Sequence, residues 1–171
     1  MPIDILLNQL SKKLEIPHLF FFISQPETDY LLIPRSTSEH RRYIPIGYMD
    51  KSTITSDSNS IVPNATLYHF GVLTSNVHVA WARAICGRLK SDYRYSGSVV
   101  YNNFPWPDVT DAQKATIEKL AQGVLDAREL YPDSTLADMY GDSSMLFHPE
   151  LVKAHKALDA AVMKLYGFSA N

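Results

Sequence analysis

The sequence predicts an α+β fold, with a small mixed α/β domain over residues 1–106 and a C-terminal helical segment over residues 107–171. Three observations lead to this prediction. Short apolar runs rich in aromatic and β-branched residues, separated by polar stretches, recur in the first part and are typical of strands. Pro105 and Pro107 then interrupt regular structure. Beyond them, apolar residues recur at helical spacing in two long stretches.

The first part is predicted to contain both helices and strands. Apolar residues recur at helical spacing from Ile3 to Leu14, before Pro17, and indicate a leading helix. A second helix is expected from Ser75 to about Gly87. Its expected buried residues are Val77, Ala80, Trp81, Ala84 and Ile85. The strand candidates between the two helices are Leu19–Ser24, Tyr30–Pro34, Tyr43–Met49 and Leu67–Leu73.

Two helices are predicted in the C-terminal segment. Thr110 and Gln113 have the spacing of a capping box, and Pro132 ends the helix that they open. Pro149 suits the first turn of the last helix, and Gly167 suits the position just after its end. Such amphipathic helices usually pack on their own domain. The expected buried stripes are Ile117, Leu120, Ala121, Val124 and Tyr131 in the first helix, and Leu151, Ala154, Leu158, Val162 and Leu165 in the second.

Composition argues against several classes of protein. With 46% hydrophobic and 20% charged residues, the chain has the composition of a globular protein and not of a disordered one. The longest apolar run, Leu19–Ile23, is too short to span a membrane, and no secretory signal pattern is recognised. Cys86 is the single cysteine, which excludes an internal disulfide and fits a reducing compartment. We therefore expect a cytoplasmic protein with no membrane partner.

Charge is distributed unevenly along the chain. The net charge of −2 is unusual for a protein that binds nucleic acid without specificity. Residues 83–94, however, carry four basic side chains and one acidic one, whereas residues 107–171 carry six basic and ten acidic ones. The positive field is therefore local and belongs to the first domain.

The most informative segment is predicted to be extended from Lys90 to Tyr101, with a turn near Ser96, Gly97 and Ser98. Side chains of an extended segment alternate between two faces, so Lys90, Asp92 and Arg94 would share one face. A row of donor, acceptor and donor suits the base edges in a DNA groove, since Lys or Arg donates to guanine and a carboxylate accepts from cytosine N4. A half-buried surface strand whose charges face water has the same pattern, and spacing alone favours that interpretation.

Arg35, Arg41 and Arg42 flank the polar run STSEH between two strand candidates. A loop of this kind can present guanidinium groups to phosphate oxygens, which fixes the register of a protein on DNA without reading sequence. A solvated hairpin loop explains the pattern equally well. The polar loop Thr53–Ser60, with Ser58 and Asn59, and the nearby Asn64 are weaker candidates for polar contacts.

No complete catalytic constellation is recognised in the sequence. The seven glycines are isolated, the Pro-Asp pairs at residues 107–108 and 132–133 lack a downstream acidic and lysine partner, and the six histidines show no zinc spacing. His148 and His155 can share a helix face but lack a third ligand. Cys86 and His78 have the residue types of a nucleophile and its base, but a buried helix thiol is the favoured interpretation of Cys86. We expect no catalytic residue, cofactor or metal in this chain.

Several long segments resemble, in order, the specificity region of MmeI-like restriction-modification proteins. They include DYLLIPRSTSEHRRYIPIGYMD at residues 29–50, IVPNATLYHFGVLTSNVHVAWARAICGR at residues 61–88, and GRLKSDYRYS followed by VVYNNFPWPDVTDAQ at residues 87–113. LAQGVLDARELYPDSTLADMYG at residues 120–141 resembles the same family, and HPELVKAHKALDAAVMKLYG at residues 148–167 resembles its closing helix. These proteins are large type IIL/IIG enzymes that join a nuclease, an adenine-specific DNA methyltransferase and a target-recognition domain.

The resemblance implies that the chain is a target-recognition domain with a helical extension. Its implied partners are double-stranded DNA and the methyltransferase core of a parent enzyme that uses S-adenosylmethionine. It implies that Lys90, Asp92 and Arg94 fall in the stretch that sets base choice, and we hypothesise that Lys90 and Asp92 share one G·C pair. From the residues themselves we expect phosphate contacts by Arg35, Arg41, Arg42 and Arg88, and a positioning motif of Tyr101, Asn102, Asn103, Phe104 and Trp106.

Catalysis by the chain alone is not implied. The catalytic turn of the family is an Asn-Pro-Pro-aromatic tetrapeptide, and the run from Asn103 to Trp106 lacks the adjacent prolines, so we interpret it as a packing and positioning element. The alternative function is a protein-interaction module, namely a separate specificity or docking subunit whose helices bind a catalytic methyltransferase.

Overall fold

The computed structural model describes residues 25–168 and confirms the α+β class. Two three-stranded antiparallel sheets in the first part pack against helices, and the last third of the chain is helical. The helix predicted from Ile3 to Leu14 and the strand predicted at Leu19–Ser24 lie outside the described residues. The division at residues 106 and 107 stays a prediction.

The first sheet has β1 (Tyr30–Pro34) between β3 (Gly47–Met49) and β4 (Asn59–Pro63). The prediction of a strand at Tyr30–Pro34 is confirmed, and its side chains Tyr30, Leu31 and Ile33 are buried. The strand predicted at Tyr43–Met49 is wrong over its first half. Pro45 has no amide proton, and the backbone turns tightly there, with the Ile46 amide donating to the Ile44 carbonyl at 2.8 Å.

The second sheet has the order β2-β6-β5, with β2 (Ser36–Thr37), β5 (Gly87–Leu89) and β6 (Asp92–Arg94). Strands β5 and β6 form a hairpin in which Leu89 pairs with Asp92 and Gly87 with Arg94. The extended segment predicted from Lys90 to Tyr101, with a turn near residues 96–98, is therefore confirmed only at Asp92–Arg94 and wrong on either side. The chain reverses at Lys90 and Ser91, and residues 97–101 form one π-helical turn instead of a bend between strands.

Helix α1 (Leu67–Leu73) occupies the segment predicted as a strand, and that prediction is wrong. A seven-residue apolar run buried on most sides carries no period that separates strand from helix. The local signal for the helix is Thr66, whose backbone amide donates to the ring Nδ1 of His69 at 3.1 Å in a capping box. Histidine in place of glutamate or glutamine disguises this signal.

Helix α2 (Asn76–Ile85) confirms the helix predicted after Ser75, but its buried face differs from the prediction. The fully buried residues are His78, Val79 and Ala82. Of the predicted residues, Val77, Trp81 and Ile85 are partly buried and pack against the core, whereas Ala80 and Ala84 are exposed. The centre of the buried face was missed because a neutral histidine, which looks polar in sequence, belongs to the core.

The C-terminal helices follow the predicted pattern. Helix α3 (Asp111–Glu129) begins with the predicted capping box, in which the Thr110 amide donates to the Gln113 side chain at 2.8 Å. A short α4 (Leu136–Met139) and a 3₁₀ turn (Ser144–Phe147) lead into α5 (Pro149–Leu165). Gly167 follows with a φ of 72°, which confirms its role after the helix end. Helix α3 packs against both α1 and α5.

Buried polar side chains join the C-terminal helices to the first part. The Arg128 guanidinium donates to the Ile46 carbonyl at 2.9 Å and to the Tyr140 hydroxyl at 2.7 Å. The same hydroxyl lies 2.6 Å from Nε2 of His155, which stacks on Tyr43. The segment between β2 and β3 is therefore fixed to the C-terminal helices through Tyr43 and the Ile46 carbonyl.

Candidate recognition surface

The β5–β6 hairpin presents Asp92 and Arg94 on one exposed face. In the antiparallel register Arg94 lies between Gly87 of β5 and Ser36 of β2, and its guanidinium donates to the Ser36 hydroxyl at 3.3 Å. Residues two apart on a strand share a face, so the predicted pairing of Asp92 with Arg94 follows the observed geometry. The predicted inclusion of Lys90 in the same strand row is wrong, because Lys90 lies in the turn.

Lys90 is an exposed residue at the tip of the hairpin and has a φ of 56°. This left-handed conformation costs a residue with a Cβ roughly 1–2 kcal/mol and normally selects glycine or asparagine. A lysine at this position is therefore not explained by backbone preference. Local strain of this kind is concentrated at functional sites.

A groove beside Asp92 and Arg94 collects side chains from three separated segments. The Arg35 amide donates to the Ser58 carbonyl at 3.0 Å, and the Arg35 carbonyl accepts from the Tyr95 amide at 2.8 Å. Arg35 is thereby fixed between the loop before β4 and the strand of the hairpin. The groove is lined by Pro34, Arg35, Ser36, Asp57, Ser58, Asn59 and Arg94.

The sequence pointed to Ser58 and Asn59 only as members of a polar loop, and it did not single out Asp57. No spacing rule connects Asp57 with Arg35 or Arg94, because they meet only through the fold. Asn64, the other polar candidate, lies in a different depression, lined by Glu27, Thr28, Asp29, Tyr48, Lys51, Asn64 and Ala65.

The opposite face of the hairpin carries a cluster of cations around Tyr93. The Arg88 guanidinium carbon lies 4.4 Å from the ring centroid, and that of Arg83 lies 5.7 Å from it. Arg88 also donates to the Ser91 carbonyl at 3.0 Å and lies 3.9 Å from the Glu39 carboxylate. Arg88 was predicted to contact phosphate, whereas Arg83 was not predicted as a site residue.

The three arginines predicted as one phosphate-binding loop are not brought together. Arg35 lies in the groove next to Arg94. Arg41 is half-buried, and its carbonyl accepts from Arg83 at 2.8 Å. Arg42 is exposed, with its guanidinium carbon 5.5 Å from the Tyr43 ring centroid. The interpretation as a plain hairpin loop is wrong as well, since the polar run begins as β2.

The segment from Tyr101 to Trp106 is chiefly a packing element. Phe104 is buried, and its ring meets those of Trp106 and His78 edge-on, at centroid distances of 5.3 and 4.7 Å. The Asn103 side chain donates to the Ser98 and Val99 carbonyls, which closes the π-helical turn. Asn102 is exposed and Tyr101 half-buried. Their assignment to DNA positioning stays a prediction.

The buried histidines behave as neutral core residues. Burial lowers the pKa of His78 to about 3, and its Nε2 lies 3.0 Å from the Tyr95 hydroxyl. Burial also lowers the pKa of His155 to about 3, with the nearby Arg128 adding to the effect. His148 precedes α5 and bonds the Ser144 carbonyl, so it shares no site with His155. Cys86 is half-buried, and burial raises its pKa.

Within residues 25–168 no group of three His, Cys, Asp or Glu side chains is placed to hold a metal ion. None of the helices in the same range is long and apolar enough to cross a membrane.

The charged β5–β6 hairpin is the candidate recognition surface of the chain, and the comparisons with known proteins show its family. Residues 7–108 match the family model of the MmeI target recognition domain, and residues 109–171 match that of the MmeI C-terminal domain. The chain therefore belongs to the MmeI family, as its target recognition domain followed by its C-terminal domain. The resemblance drawn from the sequence is confirmed.

Two longer proteins are similar to the chain. DNA methyltransferase A of Bacillus subtilis (strain 168) is 38% identical over 157 residues, which cover 91% of this chain and 18% of that protein. The type IIL restriction-modification enzyme MmeI, solved in complex with DNA, is 44% identical with a TM-score of 0.85, over 96% of this chain and 22% of the enzyme's chain. The chain thus spans about a fifth of the length of these relatives.

Proposed function

We propose that the chain reads the sequence of duplex DNA through the β5–β6 hairpin, as the specificity module of an adenine-specific DNA methyltransferase. The observation that carries the proposal is the exposed pair Asp92 and Arg94 on one face of a two-stranded ribbon. The major groove of B-DNA is about 12 Å wide and admits such a ribbon. The similarity to an enzyme solved with DNA supports the same conclusion.

The hairpin and the groove beside it supply complementary base-reading groups. Arg94 can donate to guanine O6 and N7, and Asp92 can accept from cytosine N4. Lys90 is exposed at the tip of the hairpin and would pair with Asp92 in reading one G·C base pair. Arg35 lies in the same groove as Arg94, together with the Asp57 loop, so we assign it to this base-reading face as well as to phosphate contact.

Phosphate contacts are assigned to Arg88, Arg41 and Arg42. Arg88 lies on the opposite face of the hairpin from Arg94, and the half-buried Arg41 and the exposed Arg42 lie on the adjoining loop. Two sugar-phosphate strands flank a ribbon that lies in the major groove. Cations that do not face the base edges therefore suit contacts with backbone oxygens.

The chain would act with a catalytic partner. Its relatives are about five times as long, and we propose that their remaining part corresponds to a methyltransferase core that binds S-adenosylmethionine. No residue of this chain is assigned a catalytic step. The alternative, a separate docking subunit, is favoured by an apolar groove that offers a contact surface for protein. That groove is lined by Asn76, Val77, Ala80, Trp81, Phe104, Pro105, Met163, Tyr166 and Phe168.

A salt series with a duplex of random sequence tests DNA binding. Each phosphate contact contributes about −0.9 to the slope of log affinity against log salt concentration. We expect the wild-type chain to bind with a steep slope, and the double variant Lys90→Ala/Arg94→Ala to bind more weakly. Lys156→Ala, which removes an exposed cation from α5, is the control and should match wild type. Absence of binding at low salt would overturn the proposal in favour of docking.

A further inference from the structure

Arg83 connects three segments behind the hairpin. It belongs to α2, and its guanidinium donates to the Arg41 carbonyl at 2.8 Å. The same guanidinium lies 5.7 Å from the Tyr93 ring centroid, close enough for a cation–π interaction. Tyr93 belongs to β6, the strand that also carries Asp92 and Arg94. The Arg83 side chain therefore connects α2, to which it belongs, with the loop of Arg41 and Arg42 and with the hairpin.

Within residues 25–168, strand pairing attaches the hairpin to the other strands along one edge. There β5 pairs with β6, and β6 pairs on its other side with the two residues of β2, Ser36 and Thr37. Two short strands with one narrow ladder give little stability of their own. Beneath the hairpin lies a small apolar cavity, lined by Thr37, Arg41, Tyr43, Ile44, Val79, Ala82, Arg83, Cys86, Tyr93 and Tyr95. Arg83 and Arg41 are among the lining residues, and the hydrogen bond between them joins α2 to the loop before β3.

The hydrogen bond of Arg83 differs from that of Arg88, although both guanidiniums lie over the Tyr93 ring. Arg88 donates to the Ser91 carbonyl within its own hairpin, at 3.0 Å. Arg83 donates to the carbonyl of Arg41, which belongs to another segment, so its hydrogen bond connects separate parts of the fold. Lysine cannot reproduce this arrangement, because its ammonium lacks the planar fork that bonds and stacks together.

We infer that Arg83 is a positioning residue for DNA recognition, which sets the hairpin against α2 by bonding the Arg41 carbonyl and stacking on Tyr93. The inference rests on the proposed function of the hairpin. It assigns Arg83 no contact with DNA. Loss of Arg83 should make the hairpin more mobile and lower the ratio of affinities for preferred and other sequences. It should not remove a phosphate contact.

Arg83→Lys is the test variant, since it keeps the charge and loses the fork. The first readout is amide hydrogen exchange in the DNA-free chain, comparing residues 87–94 with the β1 ladder at Leu31 and Leu32. We expect amide exchange to accelerate about fivefold in the hairpin and to stay unchanged in β1. This is the size of effect that loss of one hydrogen bond and one cation–π contact should have. Tyr93→Leu, which removes the ring on which Arg83 stacks, should give the same pattern.

The second readout is the ratio of affinities for the preferred and a scrambled duplex, measured across a salt series. We expect the ratio to fall about fivefold while the salt slope stays equal to that of wild type. A slope lowered by about one unit with unchanged hairpin exchange would make Arg83 a phosphate contact and overturn the inference. Equal acceleration in β1 and hairpin would show a general structural role and overturn it as well.

Failure of the proposed function is separable from failure of this inference. If the wild-type chain does not discriminate between duplexes, the proposed function fails. Hydrogen exchange in the free chain still decides whether Arg83 holds the hairpin. Unchanged exchange in Arg83→Lys would overturn the positioning role whatever the DNA measurements show.

Discussion

The Tyr43 hydroxyl donates a 2.6 Å hydrogen bond to the Asp159 carboxylate, which lies 116 residues further along the chain. The other oxygen of Asp159 accepts from the Asn76 amide at 2.8 Å. One buried carboxylate on α5 thereby holds both the loop that carries Arg41 and Arg42 and the start of α2. Burial raises the pKa of Asp159, although both hydrogen bonds favour its charged form. The C-terminal helices thus hold in place two segments that lie next to the proposed recognition surface.

Tyr43→Phe and Asp159→Asn should each destabilise the chain, by about 1–3 kcal/mol, because each leaves a buried polar atom without its partner. An asparagine has one acceptor oxygen for the two donors that Asp159 now serves. Their coupling free energy in a double-mutant cycle, measured by urea unfolding, should be at least about 0.5 kcal/mol.

The exposed hydroxyl of Tyr131, which bonds Glu150, provides the control for that cycle. Tyr131→Phe should change the free energy of unfolding by less than about 0.5 kcal/mol. Strict additivity of the Tyr43 and Asp159 substitutions would show that the buried bond does not couple the loop to α5.

Two helical glycines should respond to alanine with opposite signs. A Cβ at Gly71 in α1 would lie 2.8 Å from the Ile117 side chain and 3.1 Å from Ala121 of α3, whereas a Cβ at Gly123 meets nothing within 4 Å. Gly71→Ala should cost about 1–3 kcal/mol through overpacking. Gly123→Ala should gain up to about 1 kcal/mol from helix propensity. Thermal unfolding of both variants measures the difference, and equal stabilisation would mean that α1 and α3 can separate without cost.

The stability of the chain should fall on mild acidification. Burial lowers the pKa of His78 and of His155 to about 3, from about 6.5 in an unfolded chain. Between these values the unfolded chain binds two protons that the folded chain does not. The stabilisation present above pH 6.5 is therefore lost as the pH falls, by at most about 1.4 kcal/mol per pH unit for each histidine. The raised pKa of Asp159 acts in the opposite direction, since its ionisation costs stability as the pH rises.

His78→Gln tests the histidine contribution, because glutamine can bond the Tyr95 hydroxyl and does not titrate. We expect the variant to be less stable at neutral pH but to lose less stability between about pH 7 and pH 5. Urea midpoints at the two pH values give the comparison. A wild-type pH dependence in the variant would mean that His78 is protonated in the folded chain.

Lys90→Gly should separate stability from recognition. Glycine relieves the left-handed backbone at the hairpin tip, where φ is 56°, and should stabilise the chain by up to about 1 kcal/mol. Loss of the ammonium group should cost about 1–3 kcal/mol in discrimination at one base pair. The free energy of unfolding and the affinities for matched and mismatched duplexes test both expectations. A variant that is more stable and equally selective would remove Lys90 from the base-reading face.

Most of the correct predictions of the fold rest on local sequence signals at the ends of helices. The capping box at Thr110, the proline at 149 and the glycine at 167 act within one turn of their own helix, so sequence suffices to place them. The run at Leu67–Leu73 failed because its burial on most sides erases periodicity. The hairpin turn failed because Lys90 and Ser91 are not the residues that such turns favour.

The recognition surface was predictable in part. Asp92 and Arg94 follow from alternation along one strand, which sequence spacing expresses directly. Arg35 and Asp57 reach the same groove through the pairing of β1 with β4 and of β2 with β6, and no local pattern records that convergence. Arg83 was not predicted, because the sequence of an exposed helical arginine is the same whether its side chain is solvated or contacts a loop and a strand.

The most direct test of the central claim, that the hairpin reads bases, is the selection of preferred sequences from a pool of random duplexes. The wild-type chain and the variant Lys90→Glu/Asp92→Arg are compared, because the exchange reverses donor and acceptor on the hairpin while leaving its net charge unchanged. If the hairpin reads bases, we expect both proteins to enrich a defined sequence and the two sequences to differ at one base pair. The same enriched sequence for both proteins, or none for either, would contradict base readout by this hairpin.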